Sequence, residues 1–280
     1  MKISNQFRNY FRASKNCFAS LKQGKIILLF MLYAVLQILF VFILMFFAYP
    51  PFSSFLVPII QKFFGEPALH YPNNFLILPA LYFWVNLLLS GVIGVILVGA
   101  TTNLFIMSYG NKPVRLGKGL NRTMPHYLIL FAVWIVETGA LLAIFIGVPA
   151  LLSKVYFFTR AGNLPLQLTT SFIAIIVGSF FVYTTALIVL ENAGPGKAVV
   201  KSLTMFKKYP LISILLIGIP NLIRMPIDLL SGETQFLVSK FSPEMVAAVL
   251  ILSILISVFA NYFLVGTVTR YFLSVRERSY

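Results

Sequence analysis

The chain has 280 residues, 59% of them hydrophobic and only 10% charged. A soluble domain carries roughly 25% charged residues, so this composition calls for lipid rather than water as solvent. A net charge of +15 would suggest nucleic acid on a soluble protein, but the cations here are split over separate short segments without interleaved aromatics for base stacking.

A membrane helix needs about 20 apolar residues to cross a hydrocarbon core of roughly 30 Å. Six segments are predicted to do so: Ile26–Ala48, Leu76–Met107, Tyr127–Leu152, Leu168–Leu190, Leu211–Leu230 and Met245–Phe272. The basic residues ahead of the first resemble the start of a signal peptide. Ile26–Ala48, however, runs 23 residues without a charge, too long for the usual h-region, and is expected to remain as a span. The expectation is a single six-span domain over residues 1–280. Residues 1–25 form an amphipathic N-terminus and 271–280 a tail.

Topology follows from the cations, because short cytoplasmic loops are enriched in Lys and Arg. With the N-terminus inside, 17 of the 22 lie on the cytoplasmic side. They are Lys2, Arg8, Arg12, Lys15, Lys22 and Lys25; Lys112, Arg115, Lys118 and Arg122; Lys197, Lys201, Lys207 and Lys208; and Arg270, Arg276 and Arg278. Only Lys62, Lys154, Arg160 and Lys240 fall in outer loops. Both termini are therefore expected to be cytoplasmic, in a bacterial-type inner membrane. Much of the positive charge would face anionic lipid headgroups.

A repeat is visible in what precedes the odd-numbered spans. Asn16–Lys25, Gly117–Tyr127 and Gly196–Pro210 are short basic elements that each feed an apolar helix. The ends of two even-numbered spans also correspond: Leu97–Met107 aligns with Leu264–Ser274. The chain reads as three units, each a basic interfacial helix followed by a two-helix hairpin. Over Lys197–Tyr209, Val199, Leu203 and Phe206 recur at helical spacing, with Lys201, Lys207 and Lys208 toward the other face. Such a helix either rests on headgroups or docks a cytoplasmic partner through Lys197, Lys201, Lys207 and Lys208. In the first outer loop, Tyr49–Phe75, the segment Phe52–Phe64 is too short to span and is expected at the outer interface.

Resources for catalysis are few. The chain contains one Asp, two His (His70 and His126) and one Cys. No HExxH or His/Cys/carboxylate cluster has ligand spacing, so no metal and no cofactor is expected. Cys17 excludes an intramolecular disulfide and is read as a thiol near the membrane surface, with lipidation as the alternative. Gly194–Ala198 fails as a phosphate loop, since Glu191 and Ala198 stand where Gly and Ser/Thr are needed.

Ionisable residues inside the spans are the remaining candidates. Glu137 lies roughly 15 Å into span three, while Arg224 and Asp228 stand one turn apart in span five between Pro220 and Pro226. Buried charges at such depth default to a functional or pairing role. The expected site is a polar cluster of Glu137, Arg224, Asn261 and Gln37 near a proline-broken helix, with Asp228 as a local partner of Arg224. Structural pairing of these groups is the alternative. Gly139, Ala143 and Gly147 form a small-residue stripe that lets another helix approach closely.

The run Ala186–Leu203, with Glu191, Gly194, Ala198 and Ser202, resembles a broad bacterial group of six-helix membrane proteins. It is similar to the membrane domain attached to some glycerophosphodiester phosphodiesterases. The resemblance covers the six-span layout and is specific over about 25 residues. The catalytic barrel of those enzymes has no counterpart here, so the resemblance implies no hydrolysis. A non-enzymatic protein that binds or moves a lipid or small amphiphile is the first expectation. The second is a membrane scaffold or subunit, with a protein partner or a second copy.

Overall fold

The structure, a computed structural model, describes residues 3–21, 24–110, 112–156 and 164–276. Lys2, Lys22, Arg160 and Arg278 of the topology argument lie outside them. A run of apolar residues in lipid must satisfy its backbone groups internally, and helices do so residue by residue. Every regular element among the described residues is accordingly helical. Six stretches are long and apolar enough to cross a membrane: Lys25–Met45, Leu78–Tyr109, Leu116–Leu152, Pro165–Glu191, Pro210–Gly232 and Glu244–Arg276. The chain is an all-α polytopic membrane protein.

The helices are α1 (Ile3–Ser20), α2 (Lys25–Met45), α3 (Ser53–Phe64), α4 (Asn73–Leu76), α5 (Leu78–Leu89), α6 (Val95–Tyr109) and α7 (Leu116–Thr123). They continue with α8 (Tyr127–Tyr156), α9 (Leu164–Phe181), α10 (Thr184–Glu191), α11 (Pro195–Lys208), α12 (Pro210–Gly232), α13 (Thr234–Lys240) and α14 (Glu244–Arg276). The basic helices α1, α7 and α11 precede α2, α8 and α12; α1 runs Ile3–Ser20 where the repeat predicts Asn16–Lys25. The α10–α11 junction shows why: Asn192 ends α10 in the left-handed conformation (φ 49°), and Pro195, lacking an N–H, opens α11.

Three expectations are corrected. The second span is not one regular helix, because a π-helical turn over Ser90–Gly94 separates α5 from α6. The fourth is interrupted at residues 182–183, between α9 and α10. The fifth, expected to be broken, runs unbroken through Pro220 and Pro226. Each proline removes one N–H, and the hydrogen bonds on either side carry the helix past it. At the C-terminal end α14 continues to Arg276 with Tyr271 fully buried, so the expected tail is helical as far as it is described.

The chain packs as two compact units. The first comprises Met1–Ile26, Val95–Asn221 and Phe263–Tyr280. Its core gathers Tyr10, Tyr183, Ile188, Ile212, Leu216 and Tyr271. The second comprises Ile27–Gly94 and Leu222–Tyr262. There Ile60 anchors α3 in a small cluster with Phe47 and Ala68, while Phe55, Ile59 and Phe63 are exposed on the other face. That two-sided pattern suits the interfacial position expected for Phe52–Phe64.

Candidate functional site

In the first unit each basic helix buries a pair of small residues one turn apart: Ala13 and Cys17 in α1, Gly119 and Thr123 in α7, Ala198 and Ser202 in α11. The pair lets the helix lie close against the end of an even-numbered span. Thr123 sits on Gly99 of α6, where an added Cβ would fall 2.5 Å from the threonine methyl. Cys17 sits on Gly266 of α14, where an added Cβ would overlap Sγ. Ser202 closes the interruption of the fourth span: its Oγ donates to the Phe180 carbonyl at 2.6 Å and accepts from the Tyr183 N–H at 3.3 Å. Those two backbone groups would otherwise be buried unsatisfied. The helices α7 and α11 dock on the span just before them. The helix α1 docks on the last one, Cys17 Sγ donating weakly to the Phe263 carbonyl at 3.9 Å.

This packing revises two sequence readings. Cys17 is enclosed by protein: it has no exposure, and burial pushes the thiol up to about 11. A group so enclosed is poorly placed for lipidation. In α11 the buried face centres on Ala198 and Ser202, and Lys201 turns back to Glu191 of α10 at 2.6 Å. Lys197, Lys207 and Lys208 remain exposed, with Val200 among them.

The second unit holds four of the five residues named for the polar site. Gln37 of α2 donates through Nε2 to Asn86 Oδ1 of α5 at 2.5 Å. One turn before each of these partners stands a tyrosine, Tyr33 and Tyr82. The Tyr33 hydroxyl is buried without a hydrogen-bond partner among the described residues. The Tyr82 phenol lies within electrostatic range of both Tyr33 and the Arg224 guanidinium. On α12, Arg224 Nε stands 3.7 Å from Asp228 Oδ2, beyond hydrogen-bonding distance. Asp228 Oδ1 accepts from Ser253 Oγ of α14 at 2.9 Å. Asn261 is half-buried further along α14. Glu137 belongs to the first unit, half-buried on α8.

No family model, curated protein or solved structure matches this chain.

The chemistry of the site has therefore to be read from its own residues. Among those described, no group of three or more His, Cys, Asp or Glu is placed to hold a metal ion. What the second unit presents is a cation and an anion one helical turn apart in a membrane-crossing helix. The carboxylate is oriented by Ser253, and tyrosine and amide side chains stand on neighbouring helices. Arg224 Nε is buried with no hydrogen bond, and Arg224 and Asp228 are 35% and 46% exposed. The pair thus has hydrogen-bonding capacity left to offer a ligand.

The Gly139, Ala143 and Gly147 stripe is placed differently from its expected role. Gly139 and Ala143 are exposed, and an added Cβ at Gly139 or Gly147 would meet nothing within 4 Å. The residues that carry close helix approach, Gly99, Gly119 and Gly266, escaped the sequence reading as packing positions. The signal for Gly99 and Gly266 was nevertheless present in the alignment of Leu97–Met107 with Leu264–Ser274.

Proposed function

We propose that this chain binds or moves a lipid or other small amphiphile within a bacterial-type inner membrane, its termini cytoplasmic, without catalysing a reaction. One observation carries the reading: Arg224 and Asp228 stand in a membrane-crossing helix with their hydrogen-bonding capacity unspent on each other. Charges in lipid are costly, and those that persist pair with one another or serve a ligand. Here the pairing is loose and both side chains are partly exposed. Tyr82, within electrostatic range of Arg224, and the Gln37–Asn86 pair of the same unit supply further polar atoms.

Mass spectrometry of protein extracted with its surrounding bilayer tests this. An enriched lipid or metabolite should accompany the wild type, disappear in Arg224→Gln, and persist when Lys197, Lys207 and Lys208 are replaced by Gln. A Glu137→Gln variant that keeps the ligand confines the site to the second unit. If Arg224→Gln carries the same companions as the wild type, the reading fails.

The exposed Lys197, Lys207 and Lys208 favour a second reading, a membrane subunit that docks a cytoplasmic partner on its basic helices. A stoichiometric protein released by the triple Gln variant, and indifferent to Arg224→Gln, would establish it.

A further inference from the structure

We infer that the Arg224–Asp228 site takes a phosphate-and-ammonium zwitterion, the headgroup of an aminophospholipid. This rests on the amphiphile-binding reading and gives it a ligand class. The argument begins with charge. The pair is neutral overall, so a net-anionic headgroup drawn to Arg224 would be repelled by Asp228, and a simple amine would be repelled by Arg224. A ligand carrying both charges satisfies both residues.

Hydrogen-bonding capacity points the same way. The guanidinium has five donors in a planar fork suited to phosphate, and none is hydrogen-bonded to Asp228 at 3.7 Å. Nε is buried and lacks a hydrogen-bond partner among the described residues, while the side chain as a whole is 35% exposed. Asp228 is held by Ser253 through Oδ1 alone, which fixes the carboxylate while leaving Oδ2 to accept from an ammonium.

Axial order then distinguishes a lipid from other zwitterions. Asp228 is four residues from Gly232 and Arg224 eight, so at 1.5 Å per residue they lie about 6 and 12 Å from that end of α12. An aminophospholipid presents the same order from the membrane surface inward: ammonium, phosphate, then acyl chains. The one-turn offset suits a phosphate and an amine joined through the two carbons of ethanolamine. Beside Arg224, Leu222 and Ile223 are 61% and 51% exposed, an apolar surface for acyl chains where a water-soluble zwitterion would gain nothing. The Tyr82 phenol lies within electrostatic range of the Arg224 guanidinium and carries an O–H that can donate to phosphate.

The test uses the full chain in nanodiscs of equal phosphatidylethanolamine and phosphatidylglycerol, with retained lipid read by native mass spectrometry. The wild type should keep phosphatidylethanolamine over phosphatidylglycerol by about tenfold, the scale of one charge-assisted hydrogen bond. Asp228→Asn should lose that preference, and Arg224→Gln should retain neither lipid. Asp228→Glu, which keeps the charge, controls for folding and should keep the preference. Excess water-soluble glycerophosphoethanolamine separates the two sources of this headgroup. Lipid that stays bound against it supports the lipid assignment; displacement assigns the site to a free zwitterion and overturns that assignment. Equal retention of both lipids by the wild type, unchanged in Asp228→Asn, overturns the zwitterion while leaving lipid binding intact. No lipid retained above bulk removes the binding reading itself.

Discussion

Replacing Gly266 by alanine should loosen the seat of α1 on α14, and the size of the effect can be worked from the surroundings. An added Cβ would overlap Cys17 Sγ and lie 2.6 and 2.9 Å from Cζ and Cε1 of Phe105. Carbon contacts are most favourable near 3.5–4.0 Å, so the shortfall is about 1 Å. Neither neighbour can swing aside, because Cys17 and Phe105 both have no exposure. Overpacking of this kind costs about 1–3 kcal/mol, against roughly 0.5–1 kcal/mol gained by replacing glycine within a helix. A net loss near 1 kcal/mol corresponds to a melting point lower by about 2–4 °C. Cys17 is the chain's single cysteine and provides its own reporter: a fluorogenic maleimide reacts with it only as the α1 interface opens. Thermal labelling curves in detergent should shift down for Gly266→Ala and up, or not at all, for Gly139→Ala, where an added Cβ meets nothing. Coincident curves for Gly266→Ala and wild type would refute the packing argument.

Burial raises the Cys17 thiol from 9.0 to about 11, so its contribution to stability is complete below pH 9 and is lost as the pH climbs toward 11. At pH 10.5 the loss is about 2 kcal/mol, and melting at pH 8 and 10.5 should show wild type losing more than Cys17→Ser. Ser202→Ala leaves the Phe180 carbonyl and Tyr183 N–H without their buried partner. A cost of about 2–4 kcal/mol is expected, read as a drop in the circular-dichroism melting midpoint. The Lys201–Glu191 ion pair, with side chains 44% and 24% exposed, should be worth only about 0.5 kcal/mol. A double-mutant cycle with Lys201→Met and Glu191→Gln should measure that coupling at low salt and lose it at 1 M salt.

The six spans and the three basic helices were legible because both are written in composition: long charge-free runs, and cations clustered between them. The glycine break at Asn192–Gly196 was equally plain. Which small residues meet another helix was not. Gly139, Ala143 and Gly147 have the spacing of a packing stripe, yet nothing described lies within 4 Å of a Cβ added at Gly139 or Gly147, whereas the single glycines Gly99 and Gly266 are tightly covered. Sequence alone cannot separate these cases, since lipid tails and leucine side chains are equally apolar and a helix gives no sign of which one it faces. The prolines misled for a related reason. Pro220 and Pro226 announce a break that neighbouring hydrogen bonds absorb, while the interruption at residues 182–183 carries no proline and is closed by a serine nineteen positions away. At the polar site the Arg224–Asp228 spacing was readable from the chain. The roles of Ser253 on α14 and of Asn86 and Tyr82 on α5 were not, because they depend on how helices distant in sequence pack.

The seat of α1 has a consequence for how the protein is made. Cys17 and Phe263 are 246 positions apart, whereas α7 and α11 settle onto spans finished moments before them. At a synthesis rate of roughly 5–20 residues per second, α1 waits about 10–50 s for its partner to be translated. Throughout that interval the Phe263 carbonyl that Cys17 meets has yet to be synthesised. Completion of the last helix is therefore the event that lets the first one come to rest.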